Sequence, residues 1–184
     1  MNSFLDFKNA QQKPQTPIGG TTEDLGTWKP PPLGVIKVNW NASMNASNGK
    51  PGFGIVAREH QGRVLAYKKL SKSSFLDPLL AEAQGVLYVV DLIIELGYSL
   101  TILKGDSHLI IKGLMQDQPR WDEVGMILSN TMKILFYLDS WNATFVKRNG
   151  NVYAHLLAKA ILSLHKGLVD LVVNPDTLQP VTPI

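Results

Sequence analysis

Five polar residues occupy positions where their side chains could do chemistry: Asn41, Glu82, Asp106, Asn151 and His155. Glu82 lies between Leu79 and Val86 at helical spacing, so its carboxylate points along an apolar stripe. A charge there is costly unless it is paired, hydrogen-bonded or bound to a cation. Asp106 stands just past a predicted strand, at the start of a helix. It suits an N-cap, where a carboxylate accepts the orphan backbone N–H bonds. It equally suits a ligand position, because open α/β sheets bind ligands beyond the carboxyl ends of their strands. Asn41 ends the first predicted strand, near the centre of the sheet. Asn151 and His155 are one turn apart at the start of the last helix and share a face. Taken singly, Asn151 is a helix cap and His155 a packed or surface histidine.

Composition narrows what these residues can do. The 184 residues suit one domain, and 45% hydrophobic content against 18% charged content supports a buried core. The absence of cysteine removes disulfides, zinc ribbons and thiol nucleophiles. The four histidines form no H-E-x-x-H pair. Eighteen basic and 15 acidic residues give a net charge of +3, compatible with a polyanionic partner. The most apolar stretch, Val86 to Leu96, is cut by Asp91 and Glu95. A membrane span needs roughly 20 apolar residues, so none is expected. No secretory signal core opens the sequence, which predicts an intracellular protein, nuclear or cytoplasmic.

The elements that must position the polar residues follow from periodicity. Residues 1–27 show no apolar period and read as a flexible leader or linker. Trp28-Lys-Pro-Pro-Pro32 makes a stiff entry. Alternation over Val35–Trp40, Phe53–Glu59 and Arg63–Leu70 predicts an antiparallel meander. Helical spacing from Leu79 to Ile94, ending at Gly97, predicts a helix. Leu100–Leu103 is a short strand, and Gly105-Asp106 opens a helix that Pro119 breaks. Asp122–Leu138 is a further helix, Thr144–Lys147 a strand, and Asn151 to about Lys166 the last helix. The order predicts a mixed five-stranded sheet, three antiparallel strands continuing into parallel ones, with helices on both faces. The domain spans 28–167, and 168–184 is a tail.

Several motifs in this order carry a resemblance: Lys37-Val-Asn-Trp-Asn-Ala-Ser43, Gly52-Phe-Gly-Ile-Val-Ala-Arg58, Ala81-Glu-Ala83, Gly105-Asp-Ser107 and Arg148-Asn-Gly-Asn-Val-Tyr-Ala-His-Leu-Leu-Ala158. The stretch from about Pro30 to Lys166 resembles the ribonuclease H type 1 family, in particular its plant reverse-transcriptase-like branch related to retroelements. The resemblance implies a ribonuclease H-like α/β fold. It also implies descent from endonucleases that cleave the RNA strand of an RNA–DNA hybrid with two Mg²⁺ (or Mn²⁺) ions. Such hydrolases hold the ions with four acidic side chains, since hard oxygen ligands suit Mg²⁺ and two ions about 4 Å apart clamp the attacking and leaving oxygens.

By that resemblance the catalytic and metal positions are Asn41, Glu82, Asp106 and His155. Glu82 and Asp106 match, Asn41 replaces the bridging Asp, and His155 replaces the fourth carboxylate. Removing ligating charge implies a thousandfold or greater rate loss, on the order of several kcal/mol. The expected function is therefore nucleic-acid binding through a degenerate metal site. The alternatives are an active hybrid ribonuclease or a protein-interaction module. Ser43, Lys147, Arg148 and Asn151 are the expected nucleic-acid contacts, with Lys68, Lys69 and Lys72 as further phosphate contacts. The partner would be an RNA–DNA hybrid or RNA, and the sequence leaves the oligomeric state open, with a monomer as the default.

Overall fold

The computed structural model describes residues 28–116, 120–164 and 169–174. The leader at 1–27, the break at Pro119 and the helix stop at Gly167 lie outside them. Strands β1 (Ile36–Met44), β2 (Pro51–Arg58) and β3 (Val64–Ser71) form the meander. Helix α1 (Pro78–Glu95) and strand β4 (Leu100–Gly105) follow. Helices α2 (His108–Met115) and α3 (Glu123–Leu135) lead to β5 (Ser140–Phe145). A 3₁₀ turn (Arg148–Gly150), helix α4 (Val152–Leu162) and strand β6 (Val169–Val173) complete the described chain.

The sheet order is β5-β4-β1-β2-β3-β6. Strands β1, β2, β3 and β6 pair antiparallel, whereas β4 pairs parallel with both β1 and β5. This is the mixed sheet the sequence predicts, with six strands instead of five. The additional strand comes from the apolar start of the stretch read as tail, which pairs along β3. Several predicted boundaries also move: α3 ends at Leu135 and not Leu138, and α4 ends at Leu162 and not near Lys166. β1 runs on to Met44, which places Asn41 inside the strand and not at its end. β5 begins at Ser140 and closes at Phe145, because residues 140–143 pair in register with β4.

Alternation along β1 sends neighbouring side chains to opposite faces. Trp40 is fully buried on the α1 face, where an added Cβ on Gly105 would come within 2.3 Å of its ring. The indole thus lies flat on the glycine that precedes Asp106. On the other face α4 sits directly on β2: a Cβ on Gly54 would stand 2.1 Å from the Ala154 carbonyl oxygen. Helix α1 starts where Asp77 accepts from the backbone N–H groups of Leu79 and Leu80, with Pro78 opening its first turn. These contacts hold α1, β4 and α4 around the centre of β1.

Candidate functional site

Asn41, Glu82 and Asp106 line one cleft of about 360 Å³, together with Ser107 and Arg148. They come from β1, α1 and the turn after β4. The Nδ2 of Asn41 donates to Ser43 Oγ at 3.1 Å, which leaves its carbonyl oxygen as the ligating atom. Glu82 Oε1 accepts from the Ala42 backbone N–H at 3.1 Å, fixing the helix to the strand. Its Oε2 and Asp106 Oδ1 are buried without hydrogen-bond partners.

The electrostatics follow from that burial. Glu82 is pushed up to about 8, first by desolvation and then by the Asp106 carboxylate, against the Ala42 N–H. Desolvation also raises Asp106, opposed by its backbone N–H, Arg148, His155 and the Asn151 amide. His155 is held below the ordinary histidine value by burial and by Lys159 and Arg148, with Asp106 pulling the other way. Its Nδ1 is buried and unpartnered. His155 thus stands within electrostatic reach of Asp106 without lining the cleft itself. Among the described residues, no three His, Cys, Asp or Glu side chains gather as a metal-binding group.

Asp106 and Asn151 depart from their predicted cap roles. Ser107 occupies the N-cap of α2, so the Asp106 carboxylate is not spent on that helix. Asn151 takes the N-cap position of α4 yet makes no side-chain cap bond. Its amide instead donates to the Trp40 carbonyl at 2.7 Å and accepts from Asn39 Nδ2 at 3.1 Å. Asn151 is only 1% exposed, so in this structure it ties α4 to β1. Asn39, which the sequence reading passed over, completes that tie by also donating to the Gly150 carbonyl. The available signal was a polar residue repeating at Lys37, Asn39 and Asn41 along one face of a central strand.

Lys147 and Arg148 are exposed after β5, and Arg148 alone of the two lines the cleft. Lys68 pairs with Glu95 at 3.2 Å and Lys72 hydrogen-bonds Gln84 at 3.2 Å. Both lysines therefore turn toward α1. No helix among the described residues is long and apolar enough to cross a membrane.

No curated protein sequence matches the chain. The fold is that of solved type 1 ribonucleases H. RNase H1 of the halophilic archaeon Halobacterium salinarum NRC-1 superposes with a TM-score of 0.65 at 21% identity, covering 70% of this chain and 97% of its own. The N-terminal RNase H domain of a Mycobacterium tuberculosis protein, solved fused to maltose-binding protein, gives 0.62 at 19%, covering 68% and 91%. LC11-RNase H1, solved in complex with an RNA/DNA hybrid, gives 0.58 at 16%, covering 70% and 99%. A family model described as reverse transcriptase-like matches residues 39–161, from Asn39 on β1 to the end of α4, and this chain belongs to that family.

Proposed function

We propose that this domain binds nucleic acid, an RNA–DNA hybrid or RNA, with a reduced metal site that leaves hydrolysis impaired. Family membership and the shared fold support the binding. The observation that carries the reduced site is the cleft itself: a neutral amide at Asn41 beside the carboxylates of Glu82 and Asp106. Glu82 Oε2, Asp106 Oδ1 and the Asn41 carbonyl are hard oxygen donors, and the two carboxylate oxygens lack partners. That set fits one Mg²⁺ or Mn²⁺ ion held by Asn41, Glu82 and Asp106. A bound ion would supply charge stabilisation at a phosphate oxygen. The second ion of the expected pair has a poorer set, since His155 brings a nitrogen and no charge.

The chain's own groups do the rest. Arg148 at the cleft mouth attracts a phosphate, and Asp106 holds it by Coulomb attraction at that mouth. The Trp40 ring on Gly105 and the Ala42–Glu82 bond keep both carboxylates in place. Filter binding to a labelled hybrid, RNA and single strands across salt concentrations tests the reading. Salt-sensitive binding of the hybrid is expected. A folded protein that binds none of them at low salt rejects it.

A further inference from the structure

A second pocket, of about 270 Å³, opens beside the first turn of α4, on the other side of the Asn149–Asn151 turn from the carboxylate cleft. Its walls include Trp28, Asn39, Arg58 and Tyr153. Arg58 is only 7% exposed, and among the described residues it has no hydrogen-bond or ion-pair partner. Its guanidinium carbon lies 4.8 Å from the Trp28 ring centroid and 4.2 Å from that of Tyr153. Ring contacts are not hydrogen bonds, so the N–H donors of this cation are still unassigned. Across the β1–β2 ladder it faces Lys37, a second buried cation. No carboxylate lies in the wall, although a buried charge ordinarily requires one.

Two further donor groups share this wall. The Trp28 indole Nε1 is buried without an acceptor. Helix α4 is eleven residues long and begins without a side-chain cap. Its first backbone bond runs from the His155 N–H to the Asn151 carbonyl, so the N–H groups of Val152, Tyr153 and Ala154 stay free at the positive end of the helix. One acceptor completes the set: Asn39, 3% exposed, keeps an unpartnered Oδ1.

We infer that this pocket binds a ribonucleotide phosphate. Anionic oxygens meet Arg58, the Trp28 N–H and the start of α4, while a hydroxyl donates to Asn39 Oδ1. A halide or a carboxylate would leave that Asn39 oxygen unpaired, because neither carries a proton to give. A phosphomonoester or a neighbouring sugar hydroxyl supplies one. The source is a free nucleotide or the 5′ end of an RNA strand. The pocket shares no lining residue with the carboxylate cleft, so the inference goes beyond the function proposed above and stands or falls separately.

The test is an NMR titration of the full chain with adenosine 5′-monophosphate, inorganic phosphate, and one RNA oligonucleotide carrying either a 5′-phosphate or a 5′-hydroxyl. The Trp28 indole signal and the Tyr153 and Ala154 amides should shift saturably with the nucleotide, and about tenfold more weakly with inorganic phosphate. Arg58→Gln should weaken the nucleotide about tenfold or more. Arg58→Lys should fall between, because it keeps the charge and loses the planar fork. Glu82→Ala should leave these shifts unchanged. Tighter binding of the 5′-phosphorylated strand than of the nucleotide assigns the pocket to RNA ends; equal or weaker binding assigns it to free nucleotides. Absence of saturable shifts at tens of millimolar nucleotide overturns the inference. So does unchanged affinity in an Arg58→Gln protein whose spectrum shows it folded.

Discussion

The cleft at Asn41 and the pocket at Asn39 are neighbours on one strand with opposite electrostatic defects. The cleft holds two carboxylates with buried oxygens that accept no hydrogen bond, and the pocket holds a buried cation with no carboxylate in its wall. Asn39 and Asn41 lie two apart on β1, about 7 Å from one another and on the same face of the strand. The Asn39–Asn151 amide tie spends its polarity on the Trp40 and Gly150 carbonyls and brings no charge to either hollow. The fold thus keeps an acidic and a basic hollow apart with a neutral partition. On the two proposals made above, one hollow takes a cation and the other an anion.

The comparison can be broken most strongly at its acidic side. Asn41→Asp restores a third anion, and hybrid cleavage in Mg²⁺ should rise on the order of a thousandfold over the unmodified protein, to be lost again with Glu82→Ala. Efficient cleavage by the unmodified protein would reject the impaired site. Next in size, Gly54→Val drives a side chain into α4, the helix both hollows depend on. It should cost about 3 kcal/mol in urea unfolding and weaken both sites together.

An effect of similar size separates the two sites by pH. In the folded protein Glu82 titrates near 8, above its ordinary 4.5. The native state therefore holds an extra proton between these values, and stability falls as pH rises through that window, with the full penalty present above it. Glu82→Gln should remove this slope and be more stable than the unmodified protein at pH 9, by on the order of 3 kcal/mol, with little difference at pH 4. Mg²⁺ should raise the melting temperature of the unmodified protein at pH 8 and leave the Gln variant unmoved. Least of all, Arg148→Ala should lower the salt slope of hybrid binding by about one unit without altering the Trp28 signal.

The meander, α1 and β4 were legible because each is written in local periodicity, as with the Leu79–Ile94 stripe. The pairing of Asn41, Glu82 and Asp106 was legible only through the motif resemblance, since periodicity places each residue on its own element and says nothing of their meeting. What escaped was long-range. Val169–Val173 reads as an apolar tail because its partner, β3, lies about a hundred residues upstream. Asp106 and Asn151 sit at positions that local rules assign to caps, yet tertiary hydrogen bonds take up Asn151 and the Asp106 carboxylate lines the cleft. Arg58 looked like the polar end of a strand, and only the ladder that sets it against Lys37, with Trp28 and Tyr153 closing from two sides, shows that it is buried.

The sixth strand also sets where the sheet ends. With β6 in place, the backbone of β3 is satisfied along its outer side, and Asn174 still donates to the Leu65 carbonyl at 2.8 Å. A shortened version ending before Val169 would present that row of amides and carbonyls bare to solvent, the kind of border along which sheets of separate molecules zip together. The last stretch of described chain therefore shifts the border of the sheet from the eight residues of β3 to the five of β6, and a shorter border is a poorer template for pairing.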